Sequence, residues 1–444
     1  MGASDFVSAL RGAAPYVHAH HGRTFVIAFP GETCAGPAFE QLISDVALLS
    51  SVGVKIVIVH GARPQIDAEL ELRGNAARYV GDLRVTDEAA MGAVKAAVGA
   101  LRMDIEALLS CSLANTPMGG ARIQVVGGTW VTGRPVGVRE GVDHVLTGEV
   151  RRIDFEAIGE VLSGERIALL SPVGYSRTGE AFNLRNSDVA QAVAIGLRAD
   201  KLVFVLESDP STWHLAESAG DAGQLLLGEA EHLLAAEEEV IGRLSPEDRN
   251  CVRAGLAAGR AGVKRVHLVG AGPDGALLRE LFTRDGAGLM LYADEDYEAT
   301  RDATIDDVAG VIALIRPLEQ AGILVPRSRE QLELDIDTFS VMVRDGMVIA
   351  CNAMVPFSQE QAAEFACVAV HPAYRGRARA ESLLLRAELT ARRRGVRRLF
   401  ALTTHTPHWF IEHGFVAGGP QDLPERRRAE YNSRRNSLVM VKDL

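Results

Sequence analysis

Apolar residues in this chain gather into short unbroken runs, separated by longer stretches in which they recur every three or four positions. Residues 23–29 (RTFVIAF) form one run, ended by Pro30-Gly31, and residues 55–59 (KIVIV) form a second, ended by His60-Gly61. Unbroken runs of this length mark strands covered on both faces, as in parallel sheets. The segment between them, 38–51, reads as a helix, and further runs stand at 122–126, 167–170, 201–206 and 264–269. Strand–helix alternation of this kind predicts an α/β domain built on a mostly parallel sheet. Ahead of it, residues 3–14 read as a short helix carrying Phe6, Leu10 and Ala13 on one stripe.

The pattern changes twice. Residues 208–223 are polar and turn-rich and 229–242 form an acidic helix, together a surface excursion on the first domain. After 288–292 (GLMLY), the acidic ADEDYEAT is the best linker candidate. Beyond it come a helix over 305–322, strands at 338–343, 348–355 and 364–370, a helix over 380–394, and strands at 398–403 and near 437–441. The expected organisation is an N-terminal helical arm (1–22), an α/β domain (23–292), a linker (293–299) and a second domain (300–444). No internal repeat is evident.

With 444 residues the chain exceeds what one core accommodates, which fits this division. The net charge of −11 argues against a nucleic-acid binder, which usually carries a basic face. No stretch approaches the roughly 20 apolar residues of a membrane span. The first residues lack the basic and apolar regions of a signal peptide. Cys34, Cys111, Cys251, Cys351 and Cys367 stand singly, fitting reduced thiols better than a disulfide frame or a zinc site. The expectation is therefore a cytoplasmic protein without metal.

The sharpest chemical signal is EFACVAVHPAYRGRARAESLLLRAELTARRRG, residues 364–395. A strand leads to His371-Pro372, then a turn rich in Gly, Ala and Arg, then a helix of leucines. The N–H groups that open such a helix form an anion site. Small residues at Gly376, Ala378 and Ala380 let a pyrophosphate approach the backbone, and Arg375, Arg377 and Arg379 add cationic donors. In this stretch the chain resembles the GCN5-related N-acetyltransferase superfamily, whose acetyl-CoA loop has the form Q/R-x-x-G-x-G/A, matched by 375–380. The departure is Ala378, where glycine is usual and the backbone freer. Residues 399–415 (LFALTTHTPHWFIEHGF) resemble the superfamily's next strand and helix. The resemblance implies an α+β domain with a mixed sheet and acetyl-CoA as cosubstrate. Backbone groups of Cys367, Val368, Ala369 and Val370 would hold the acyl oxygen and pantetheine.

Transfer of an acyl group from a thioester to an amine needs a proton acceptor, a donor for the oxyanion, and a proton for the departing thiolate. Glu364, at the start of the strand beside the thioester, is the candidate base, acting through water; the alternative is an exposed strand-edge carboxylate. Many superfamily members place a tyrosine before the helix that ends in Gly-Phe, but here that position is Phe410, which cannot donate. Thr403 supplies the nearest hydroxyl and is the candidate acid; the alternative is a threonine that merely packs. A dicarboxylate amino acid would want cationic clamps, ideally bidentate guanidiniums. GILVPRSREQLE carries Arg327 and Arg329, and the tail LPERRRAEYNSRRNS carries Arg427, Arg435 and Ser437. Such basic runs are commonly solvated faces, the class to which 392–398 belongs, with a minor role near the CoA 3′-phosphate left open.

The N-terminal half resembles amino acid kinase domains of the acetylglutamate-kinase type, in 25–32, 55–66, 179–190 and 276–290. Followed by an acetyltransferase module, it resembles the bacterial N-acetylglutamate synthase family. That resemblance implies acetylation of L-glutamate by acetyl-CoA, the first step of arginine biosynthesis. It puts Arg327, Arg427, Arg435 and Ser437 on glutamate-binding positions, and Glu364 and Thr403 on those of base and acid. Cys367 stands where homologues use a lysine. The kinase lysine is replaced by Ala28, and the phosphate turn HGGG by His60-Gly61-Ala62-Arg63, so phosphoryl transfer is not expected. Positions that bind L-arginine as effector in related kinases fall on Tyr16, Lys201, His267, Glu280, Gly286 and Gly288, with Leu289 in place of the usual threonine. The N-terminal helix of such proteins interlaces subunits, implying a homo-oligomer, a hexamer. Two other readings stay open: a bifunctional synthase and kinase, and a non-catalytic arginine sensor.

Overall fold

The computed structural model describes residues 3–111, 123–213, 223–236, 244–283, 286–292, 298–344, 346–375, 378–404, 406–432, 435 and 437–444. The chain divides into two compact units, Met1–Asp294 and Glu295–Leu444. Residues 293–297 of the expected linker lie outside the described residues.

The apolar runs of the first unit become the centre of an eight-stranded sheet. In chain order its strands are β1 (Thr24–Phe29), β2 (Lys55–His60), β3 (Val125–Gly127), β4 (Ile167–Leu170), β5 (Lys201–Leu206), β6 (Gln224–Leu226), β7 (Arg265–Gly270) and β8 (Leu289–Tyr292). Their spatial order is β6-β8-β7-β5-β1-β2-β4-β3, parallel throughout except where β8 runs against β7. The helices are α1 (Ala3–His20), α2 (Gly36–Ser51), α3 (Arg63–Leu72), α4 (Glu88–Cys111), α5 (Phe155–Ser163), α6 (Asn186–Gly196), α7 (Leu227–Ala236), α8 (Pro246–Arg260) and α9 (Ala276–Phe282).

Alternate strand residues face opposite layers, the period of two inherent to a strand. Val26, Ala28, Val57 and Val59 pack with α5, α6 and α8. Phe25, Ile27, Phe29, Ile56 and Ile58 pack with α2, α3, α4 and α9. The sheet is thus buried on both faces, which is why its strands read as unbroken apolar runs. A separate four-stranded sheet (Val131–Pro135, Gly148–Ile153, Val173–Tyr175, Ala181–Asn183) was not legible in the sequence, since its strands are short and mix Gly, Pro and charged residues.

One expected boundary moves. The first helix does not stop at residue 14 but runs through Pro15 to His20. Its last turn is fixed by tertiary contact: His20 Nε2 lies 2.7 Å from the Leu281 carbonyl, and its ring packs on Phe25 and Phe282. That packing outweighs the helix-breaking tendency of proline.

The second unit is a seven-stranded sheet of β9 (Glu298–Asp302), β10 (Phe339–Arg344), β11 (Met347–Phe357), β12 (Ala362–Val370), β13 (Arg398–Thr403), β14 (Val416–Gly418) and β15 (Leu438–Asp443), ordered β9-β10-β11-β12-β13-β15-β14. Every pairing is antiparallel except β12 with β13, so the sheet is mixed. Helices α10 (Val308–Gln320) and α11 (Arg329–Asp335) cover one face, with Val311 and Ile315 packed among Phe339, Val341 and Cys351. Helices α12 (Arg379–Arg393) and α13 (Pro407–Glu412) cover the other, with Leu384, Ala387 and Phe410 packed among Phe365 and Leu399. A short α14 (Glu425–Ala429) precedes β15. The architecture is therefore α/β with a mostly parallel sheet in the first unit and α+β with a mixed sheet in the second.

Candidate active site

The parallel pair in the second unit makes the site. β12 and β13 are hydrogen-bonded only from Ala362↔Arg398 to Glu364↔Phe400, although both strands run on. Past that point β12 is irregular: its register against β11 slips between Cys351 and Ala353, and Cys367 adopts φ of 53°. A non-glycine residue in that left-handed region is strained, and such strain clusters at functional sites. The bulge aims the chain away from β13, and a cavity of about 730 Å³ opens where the strands part. Phe365 through Val370 form one wall and Leu402, Thr403 and Thr404 another; Leu318, Ile323 and Leu324 reach in from α10 and the loop after it.

Glu364 sits in the last residue pair before the cleft. It is 7 % exposed, so it is not a solvated strand-edge carboxylate. Arg427 of α14 meets it in a fork, Nε to Oε2 at 2.7 Å and Nη2 to Oε1 at 3.1 Å. Bidentate guanidinium–carboxylate pairs are among the stronger polar contacts a protein makes. Burial alone would lower the pKa of Arg427, yet the Glu364 carboxylate more than offsets this and raises it.

The other clamp candidates are placed differently. Arg435 Nη2 donates to the carbonyls of Gly322 (3.2 Å) and Ile323 (2.5 Å), in the loop that leads to Arg327. The Arg327 backbone N–H donates to Glu319, and its guanidinium lies 5.7 Å from the centre of the Phe339 ring. The Ser437 carbonyl accepts from the Tyr431 hydroxyl. Arg329 points elsewhere, paired with Glu333 one turn along α11. Burial pushes the Cys367 thiol up to about 11, so this position offers a neutral group.

At the far side of the cavity, Ala378 caps α12 with φ 47° and ψ 23°, a left-handed conformation that glycine would adopt without strain. Arg375, Ala378, Arg379 and Ala380 all line the cavity. Arg379 is buried and donates to the Tyr374 carbonyl at 2.8 Å, fastening the turn before the helix. Gly376 and Arg377 lie outside the described residues. The arginine run 392–398 stands at the opposite end of α12 from this loop, away from the cavity.

The hydroxyl candidate has a defined setting. Thr403 is 8 % exposed; its Oγ1 accepts the Thr406 N–H at 3.2 Å and lies 3.3 Å from Thr406 Oγ1. Sequence reasoning missed Trp409 and Glu381. Both line the cavity, the indole N–H donating to Glu381 at 3.2 Å while the ring stacks on His413 at 4.4 Å. A tryptophan beside the matched Phe410 was the available signal. Among the described residues no three His, Cys, Asp or Glu side chains are grouped as metal ligands, and no helix is long and apolar enough to cross a membrane.

In the first unit, three of the effector candidates form one buried chain. Lys201 Nζ is 3.2 Å from His267 Nε2, and His267 Nδ1 is 2.6 Å from Glu280 Oε1. Glu280 Oε2 also accepts the backbone N–H groups of Ala287 and Gly288. Gly286, at φ 68°, lies so close that a Cβ would stand 2.5 Å from Glu280 Oε2. Tyr16 lies on α1 with its ring 6.2 Å from that of His20.

A second polar pocket, of about 70 Å³, lies between the turns after β1 and β2. Charged and aromatic side chains crowd it. Arg63 pairs with Glu247 at 2.6 Å, and the Arg63 and Arg84 guanidiniums lie 4.4 and 4.6 Å from the centre of the Tyr79 ring. A Cβ on Gly61 would stand 2.7 Å from Gly31 N, so packing alone accounts for this glycine.

Comparison with known proteins is consistent with both units. Residues 23–210 match the amino acid kinase family, and residues 335–417 match an acetyltransferase (GNAT) domain. The chain is 47% identical to an amino-acid acetyltransferase of Pseudomonas aeruginosa, over 99% of this chain and all of the relative. It is 48% identical to that of Azotobacter vinelandii over the same shares. Among solved structures it resembles N-acetylglutamate synthase from Neisseria gonorrhoeae complexed with coenzyme A and L-arginine. There the TM-score is 0.85 at 34% identity, covering 99% of both chains.

Proposed function

The chain belongs to the amino-acid acetyltransferase family, which includes N-acetylglutamate synthase, and from this premise we propose how its residues divide the work. It transfers the acetyl group of acetyl-CoA to the α-amino group of L-glutamate, giving N-acetyl-L-glutamate and CoA, with L-arginine as regulator. The observation that carries the site assignment is the parting of β12 and β13 directly after the Glu364↔Phe400 pair.

Acetyl-CoA fits the resulting cleft. Backbone N–H groups freed by the bulge, among Cys367, Val368, Ala369 and Val370, hold the acyl oxygen and the pantetheine. The helix terminus at Arg375–Ala380 takes the pyrophosphate, with helix dipole and cationic donors acting together. Glu364 removes the proton of the substrate ammonium through water, and the amine then attacks the carbonyl carbon. The oxyanion gathers its negative charge where backbone donors stand ready. The adduct nitrogen must still lose one proton, and the thiolate must gain one as the C–S bond breaks. A threonine hydroxyl is a weaker acid than a thiol, so Thr403 serves only as a relay, giving its proton to sulfur while taking the one the nitrogen releases, with Thr406 Oγ1 as its neighbour. Arg327, Arg427, Arg435 and Ser437 serve the substrate carboxylates.

L-arginine binds at Tyr16, Lys201, His267, Glu280, Gly286 and Gly288, the Glu280 carboxylate meeting its cationic end. Its binding shifts the balance between subunit arrangements. The chain works as a homo-oligomer, a hexamer, in which Phe6 and Leu10, 55% and 58% exposed on α1, are covered by a neighbouring copy. Its place is the cytoplasm, consistent with unpaired thiols at Cys34, Cys251, Cys351 and Cys367. Release of CoA thiol from acetyl-CoA, measured with and without L-glutamate, tests the acetyltransferase reading. Release that requires glutamate supports it; none in its presence overturns it.

A further inference from the structure

The base candidate of the acetyl transfer is not free in this chain: both oxygens of Glu364 are held by Arg427. The side chains of Glu364 and Arg427 are 9% and 21% exposed, so water screens the pair weakly. Both carboxylate oxygens are turned to the guanidinium by this fork, so Glu364 is not presented to an incoming proton until the fork opens. Arg427 is also the side chain assigned to a substrate carboxylate. One guanidinium fork cannot serve both partners in the same geometry.

We propose that Arg427 is a guard that releases the base only to an acceptor bringing its own carboxylate. In the substrate-free enzyme Arg427 holds Glu364. An incoming glutamate carboxylate replaces Glu364 as the partner of Arg427, and Glu364 becomes free to take the ammonium proton. The exchange keeps Arg427 paired throughout, and the substrate ammonium then faces the released Glu364 carboxylate in place of the guanidinium. Water, and amines without a carboxylate, do not trigger it. The arrangement therefore makes carboxylate recognition a condition of chemistry as well as of binding, and it protects acetyl-CoA from hydrolysis while the acceptor is absent. This rests on the reading of Glu364 as base.

The side reaction held in check is a balanced one. A water oxygen bonds to the acetyl carbon, its proton passes to Glu364, the C–S bond breaks and the thiolate is reprotonated, leaving acetate and CoA. The experiment measures acetyl-CoA hydrolysis without glutamate, together with kcat and KM for glutamate, in the full-length protein and in Arg427→Gln, Arg427→Lys, Glu364→Gln and the Arg427→Gln/Glu364→Gln double variant. Arg427→Gln should hydrolyse acetyl-CoA roughly tenfold faster than the unaltered chain, and the double variant should lose that gain. Arg427→Lys, which keeps the charge but not the fork, should fall between. Hydrolysis unchanged in both Arg427 variants would overturn the guard while leaving the base intact. Full glutamate turnover in Glu364→Gln would instead overturn the base, and the guard with it.

Discussion

His267 Nδ1 lies 2.6 Å from Glu280 Oε1, with both side chains almost wholly buried. Lys201 has only protons to offer, so at 3.2 Å it must donate to His267 Nε2, which fixes the ring as the neutral Nδ1–H tautomer. Burial first, and the Lys201 charge second, push the His267 pKa down to about 4. Burial alone would raise the pKa of Glu280, but hydrogen bonds from His267, Ala287 and Gly288 prevail and hold the carboxyl ionised. The chain of contacts is thus an ammonium, a neutral imidazole and a carboxylate, whose formal charges cancel. Glu280→Gln should weaken L-arginine binding at least tenfold, about 1.4 kcal/mol, as read by titration calorimetry. Unaltered affinity would remove Glu280 from the effector site.

The same histidine ties stability to pH. His60, fully buried beside Ser171, is also pushed down to about 4, mainly by burial. In the unfolded chain both rings take a proton near pH 6.5. Between pH 6.5 and 4 the unfolded state therefore binds more protons, so stability rises with pH across this window and is lost as pH falls. Each ring accounts for up to about 3 kcal/mol. Denaturant midpoints at pH 7 and 5 should differ clearly, and His60→Gln should narrow the gap. A gap that does not narrow would exclude His60 as a source.

Ala378 occupies a left-handed backbone conformation at the start of α12. A β-branched side chain tolerates that region far less well than alanine. Ala378→Val should raise the KM for acetyl-CoA roughly tenfold, about 1.4 kcal/mol, with kcat nearly unchanged. A specific effect on glutamate KM instead would separate this residue from the acetyl-CoA loop.

Arg435 holds the loop carrying Ile323 and Leu324, two residues that line the acyl cavity. Through this tether, Arg435→Ala should raise KM for acetyl-CoA as well as for glutamate, by several-fold each. A change confined to glutamate would mark Arg435 as a carboxylate clamp alone.

The first unit should show no phosphoryl transfer. Ala28 is buried between Val59 and Phe204, and Arg63 and Tyr79 crowd the pocket between the turns after β1 and β2. Incubation with ATP, Mg²⁺ and N-acetylglutamate should give no ADP above background. Formation of ADP dependent on N-acetylglutamate would restore the bifunctional reading.

What the sequence determined by itself was whatever depends on neighbours in the chain. Strands buried on both faces announce themselves as unbroken apolar runs, so β1, β2, β4 and β5 were legible with little shift. The strand–turn–helix around Val370 to Arg393 was legible because a tight turn demands small residues and a helix demands its period. The replacements at Ala28 and Arg63 could be read in the same way. Tertiary structure decided everything that depends on which distant side chain reaches which. No spacing says that Arg427, 63 residues from Glu364, closes on that carboxylate while Arg435 turns to a backbone loop 112 residues away. In a basic run every arginine looks solvated, and only packing selects the one that finds a buried partner. The bulge at Cys367 is likewise invisible in composition, since it is a backbone conformation imposed by the two strands around it.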